Sequence, residues 1–149
     1  MWDMSKNLGY AFDDDKYNRL VLLFEPTFAT YIDRLVQEKS ALFAGDRHFI
    51  GFYLDNELPF ASYQNADPLR GIDLKHFLSL PERYKAAREY AEKFMRDNGI
   101  ASTGVITKKN QEDFRGMVAD YYYQLTTATV RRYDKEHLIL GTRLHDWSK

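Results

Sequence analysis

The chain has 149 residues, 44% of them hydrophobic, no cysteine, and a formal charge of −1 from 21 basic and 22 acidic residues. This is enough apolar material for one domain with an ordinary core, and it excludes a disulfide framework, thiolate metal sites and sulfur redox chemistry other than methionine oxidation. The charges are spread along the chain with no basic stretch, which argues against nucleic acid as a partner. No run approaches the roughly eighteen consecutive apolar residues of a membrane span, so no membrane partner is expected.

Residues 1–23 are expected to form an irregular lead-in. Met1-Trp2-Asp3-Met4-Ser5-Lys6 is not followed by a long apolar segment, so no signal peptide is readable and localisation stays open; a longer parent could be secreted or periplasmic. Asp13-Asp14-Asp15 reads as solvated carboxylates rather than a metal site, and no cofactor is expected. The first regular element begins at Glu25-Pro26-Thr27-Phe28. Proline is tolerated at a first helical position, and apolar residues then recur at Phe28, Tyr31/Ile32, Leu35/Val36 and Leu42/Phe43, predicting a helix to about Ala44 with Gly45 as its stop.

Asp46-Arg47-His48 is a short connection into Phe49–Leu54, an apolar and aromatic run too short for a helix. It predicts a strand covered on both faces, as in a parallel sheet. It ends in Asp55-Asn56-Glu57, stopped by Pro59. In parallel α/β sheets ligands sit at the carboxyl ends of strands, so these three residues occupy the position where chemistry is expected. Residues 59–81 carry the turn chemistry of a long loop, with one helical turn near Leu74 to Leu78, and such loops in compact domains are usually functional. A helix is predicted from Pro81 to Asn98, closed by Asn98-Gly99, and a longer one from Thr107 to about Tyr133. The tyrosines at 121–123 read as helix packing. A second strand, His137–Gly141, follows, and its tip carries Thr142, Arg143, Leu144, His145, Asp146 and Trp147.

The order helix, strand, long loop, two helices, strand predicts an α/β domain with parallel strands and long crossover helices. Two strands do not make a stable sheet alone. An eight-stranded (β/α) barrel takes about 250 residues, so the expectation is a partial TIM (β/α)8 barrel, the single domain 1–149 being a central piece of it.

Ile50-Gly51-Phe52-Tyr53-Leu54-Asp55-Asn56-Glu57-Leu58-Pro59-Phe60 resembles the fourth-strand motif of retaining glycoside hydrolases of the large (β/α)-barrel clan, most of all their β-agarase-like branch, in which an Asn-Glu pair ends that strand. Phe24–Phe28 resembles the opening of the preceding helix, and Tyr133–Leu144 the approach to the fifth strand, so the resemblance covers about residues 24–146. It implies that Glu57 is the general acid/base and Asn56 the hydrogen-bonding neighbour of a sugar hydroxyl. Asp55, Phe60, Arg143, His145 and Trp147 are the further candidate substrate contacts.

The physical chemistry agrees with those roles. A glycosidic oxygen leaves poorly unless protonated, and a partly desolvated carboxyl group holds the proton it must deliver. The nucleophile of such enzymes is a Glu ending the seventh strand, for which no residue here is a match, so the chain alone is expected to be inactive. The expected function is that of a fragment of a retaining glycoside hydrolase acting on a polysaccharide of agarase or β-galactosidase type. The expected partners are a polysaccharide or oligosaccharide, together with a complementing chain or self-association through open barrel edges. The alternative is a non-catalytic carbohydrate-binding or α/β interaction module that pairs with another chain.

Overall fold

The computed structural model describes residues 19–56, 58 and 72–143. After a 3-10 turn at Arg19–Phe24 come helix α1 (Pro26–Phe43), strand segments β1 (Gly51–Phe52) and β2 (Asp55–Asn56), and the short helix α2 (Leu74–Leu78). Helices α3 (Lys85–Asp97) and α4 (Lys108–Tyr133) and strand segments β3 (Leu138–Ile139) and β4 (Thr142–Arg143) complete the order. The domain is mostly helical, and its sheet is small and parallel.

Local chemistry accounts for the helix boundaries. Pro26 opens α1 after an extended Glu25, and Gly45, at φ +76°, takes the left-handed conformation that ends it. Asp73 caps α2 by accepting from the His76 N–H. Helix α3 ends in a Schellman turn: Gly99 at φ +63° donates to the Arg96 carbonyl, and the Ile100 N–H reaches Met95. Thr107 and Asn110 form a reciprocal capping box at the start of α4.

Within the lead-in expected to be irregular, Arg19–Phe24 form a regular 3-10 turn. Leu20, Val21, Leu22 and Leu23 are all nearly inaccessible, because the 3-10 turn packs its apolar run against α1 and α3. The core is accordingly a helical one. Phe77 and Phe94 both meet Phe114 edge-on, with ring centroids 5.2 and 5.3 Å away, and Phe24 stacks on Tyr121 at 5.4 Å. Along α4 the buried residues Phe114, Val118, Tyr122 and Thr126 recur every fourth position, so one stripe faces inward. The side chain of Gln111 caps α2 from α4 by accepting from the Leu74 N–H at 2.6 Å.

The two predicted strands pair in parallel, β1 with β3 and β2 with β4. The register carries through both halves: Gly51 faces Leu138 and Asp55 faces Thr142. Leu138 N–H to Ile50 carbonyl (3.0 Å), Leu140 to Phe52 (2.8 Å) and Leu54 to Gly141 (2.7 Å) tie the halves together. The ladder breaks at Gly141, whose φ of +73° bends that strand. Each strand therefore extends two or three residues further than its apolar run suggested.

The expectation of strands covered on both faces is not met. Helices α1 and α4 cover one face, where Phe52, Tyr53 and Leu54 line a cavity of about 130 Å³ with Ile32, Val36 and Val130. Tyr53, Leu138 and Leu140 are nonetheless 57%, 56% and 40% exposed, so the sheet has an open face. An apolar run bounded by polar residues reports that a strand is packed, but not on how many faces. Among the described residues the sheet stops at two strands.

The amino-terminal end of the ladder is held by a charged turn. Asp134 accepts from the Glu136 and His137 N–H groups through Oδ1 and meets His137 Nδ1 through Oδ2 at 2.7 Å. Arg131 donates to the carbonyls of Asp134 and His137, and the His137 ring packs edge-on against Phe49 and Phe52. The hydrogen bond to Asp134 raises the His137 pKa, partly opposed by desolvation. Burial acts to raise the Asp134 pKa, but the hydrogen bonds and charge of His137, with the Glu136 N–H, outweigh it and leave it lowered.

Two outcomes follow from these contacts. A Cβ at Gly51 would lie 2.2 Å from the Leu138 carbonyl oxygen, so Gly51→Ala must push the strands apart. Overpacking costs about 1–3 kcal/mol, and about 2–4 °C of Tm goes with each kcal/mol in a chain this size; thermal unfolding that matches the wild type rules out so tight an approach. The second outcome concerns pH. With its folded pKa raised, His137 contributes stability that is complete below its unfolded value of about 6.5 and is lost as pH rises through the folded one. With its folded pKa lowered, Asp134 contributes stability present above its unfolded value of about 3.9 and lost as pH falls through the folded one. Wild-type Tm is thus expected to lose, above about pH 6.5, an increment that His137→Gln lacks; parallel Tm profiles for the two proteins between pH 5 and 9 would exclude this linkage.

Candidate functional site

The parallel register sets the candidate site. Asp55 and Asn56, at the carboxyl end of one strand, lie opposite Thr142 and Arg143 at the same end of the other. The segment that precedes Glu57 and the segment that precedes His145 thus leave the sheet from one edge. Glu57, Phe60, His145, Asp146 and Trp147 lie outside the described residues.

The backbone break at Gly141 decides which way this end of the sheet points. Phe52, Tyr53 and Leu54 in succession line the cavity beneath α1 and α4. Beyond them the Asp55 carboxylate Oδ2 accepts from the Tyr122 hydroxyl of α4 at 3.2 Å, and the same hydroxyl lies 3.4 Å from the Leu54 carbonyl. Across the ladder, the Tyr123 hydroxyl donates to Thr142 Oγ1 at 2.9 Å. Consecutive tyrosines of one helix hold two residues that are register partners.

Arg143, one residue beyond this clamp, has its guanidinium 6.0 Å from the centre of the Tyr53 ring, a cation–π contact on the open face. Tyr53 is thus more than half exposed and carries a cation. His48 is exposed at the amino-terminal end of the ladder, where its N–H donates to Asp46 Oδ1.

Electrostatics keep Tyr122 a donor. Burial chiefly, then the charge and hydrogen bond of Asp55, raise its pKa far above the ordinary phenol range, so it is neutral across the working pH of proteins. The sequence carried a partial signal for it. Tyr122 falls on the buried stripe of α4 four residues after Val118, and a buried tyrosine needs a partner for its hydroxyl. That the partner is Asp55, distant in sequence, follows only from the fold. Among the described residues no group of three or more His, Asp or Glu side chains is placed to hold a metal ion, and no helix is long and apolar enough to cross a membrane.

No protein-family model matches the chain, and no curated protein matches it. Among solved structures, the fold is similar to the crystal structure of BpGH50, a glycoside hydrolase of family 50, with a TM-score of 0.71 and 25% sequence identity. That similarity covers 97% of this chain and 31% of the BpGH50 chain. The resemblance to glycoside hydrolases, read first from the Asp55-Asn56-Glu57 stretch, is therefore accompanied by a solved glycoside hydrolase fold along nearly the whole chain.

Proposed function

We propose that this chain carries the acid/base half of a retaining glycoside hydrolase site of agarase or β-galactosidase type, its two strands being neighbours in a (β/α)8 barrel. Glu57 is the proton donor to the glycosidic oxygen and the base for the water that follows. Asn56 hydrogen-bonds a sugar hydroxyl, its amide donating and accepting without adding charge. Arg143 supplies a cationic donor from the neighbouring strand. The observation that carries this reading is the parallel pairing of Asn56 with Arg143, which brings the residue before Glu57 and the neighbouring strand's arginine to one sheet edge. The similarity to BpGH50 supports it at the level of the fold.

Retaining chemistry needs a second carboxylate about 5 Å from the first to attack the anomeric carbon. No residue of this chain is assigned to it. The substrate class is a galactose-containing polysaccharide or oligosaccharide, and hydrolysis requires these residues to act together with a chain or segment that brings the nucleophile.

In a polypeptide holding this segment together with that second carboxylate, Glu57→Gln is expected to lower kcat on an agarose-derived oligosaccharide by about 10²–10⁴-fold, the usual contribution of a general acid. Binding of the oligosaccharide, followed by calorimetry, stays near wild type. Full turnover by the Gln variant removes Glu57 from the mechanism, and loss of divalent-cation binding in that variant points to a cation site.

A further inference from the structure

The clamp on the strand ends has a role beyond packing. We infer that Tyr122 and Tyr123 are positioning residues: by holding the register partners Asp55 and Thr142 against α4, they set where Asn56 and Arg143 leave the sheet. The inference deepens the proposed glycosidase reading and rests on it for the importance of Glu57.

Three observations carry it. The two hydroxyls bind the two partners of one rung, Tyr122 at Asp55 and at the adjoining Leu54 carbonyl, Tyr123 at Thr142, so helix and both strands are tied at one level. That level is the last one before the tip, since Asn56 and Arg143 form the next pair. At that level the Asp55 carboxylate is turned to the helix and bonded to a buried phenol. A parallel pair bent at Gly141 has no intrinsic reason to turn a carboxylate toward a helical core, and the buried phenol supplies one. Reacting groups must be held to within a fraction of an ångström, and a 1 Å error costs on the order of a hundredfold in rate. Three hydrogen bonds at the rung before Asn56 and Arg143 hold the strand ends at this level.

Amide signals of Asn56 and Arg143 and the carboxyl titration of Glu57, followed by NMR on the full isotopically labelled chain, test this without requiring turnover. Tyr122→Phe deletes the contacts to Asp55 and Leu54, and Tyr123→Phe and Thr142→Val delete the Tyr123–Thr142 contact from either side, each while keeping shape. Phe94→Leu serves as the comparison: it loosens the aromatic packing on Phe114, two turns or about 12 Å along α4 from Tyr122. The tyrosine and threonine variants are expected to displace both amides and to move the Glu57 midpoint by about half a unit or more, whereas Phe94→Leu lowers Tm and leaves the tip signals in place.

Wild-type tip signals in all three clamp variants, or an equal displacement in Phe94→Leu, overturn the inference. Should Tyr122→Phe fail to fold, Thr142→Val, which leaves the helix untouched, decides alone. The glycosidase reading stands or falls separately on Glu57→Gln, because the amide shifts and the titration exist whatever Glu57 does.

Discussion

The hydrogen bond from the Leu54 N–H to the Gly141 carbonyl, 2.7 Å long, is the contact on which the rest of this architecture turns. It lies where the parallel ladder would otherwise end, and it joins residues separated in sequence by three helices. A two-stranded sheet is marginal in water, so the pairing survives only because the intervening chain packs as a unit. The helices hold the strands together, and the strands in turn deliver two polar tips to one edge.

Helix α4 does most of the holding. Its inward stripe starts in the aromatic core at Phe114, passes Val118, and arrives at Tyr122 just where the strands need an anchor. Apolar burial and strand placement are thus two ends of one row of side chains. The capping box at Thr107 and the Gln111 contact to α2 set the start of that row. The Asp134 turn sets its far end before the chain enters β3. The element that stabilises the domain is therefore also the one that aims the candidate site.

The open face gives the strand ends a second character. Tyr53, Leu138 and Leu140 present apolar surface beside Arg143, while the helix face at the same level is polar and bonded. The sheet end thus has one anchored face and one open face. The similarity to BpGH50 spans 31% of that protein's length.

By itself the sequence determined the helices, their caps and the existence of two strands, because these depend on local chemistry: proline at the first position of α1, Gly45 and Gly99 in left-handed turns, and the 3.6-residue spacing of α4. It also marked Asp55-Asn56-Glu57 as a candidate site, since an apolar strand ending in carboxylates is an unusual local pattern. Other features depended on partners far along the chain. The register of Asn56 on Arg143, the break at Gly141, the exposed face, the order of residues 19–24 and the bond from Tyr122 to Asp55 all arise between segments that share no local sequence signal. Tyrosines that look like core filler in one dimension become anchors only when the fold brings a carboxylate within 3.2 Å of a buried hydroxyl, where leaving that hydroxyl unpaired would cost more than the bond.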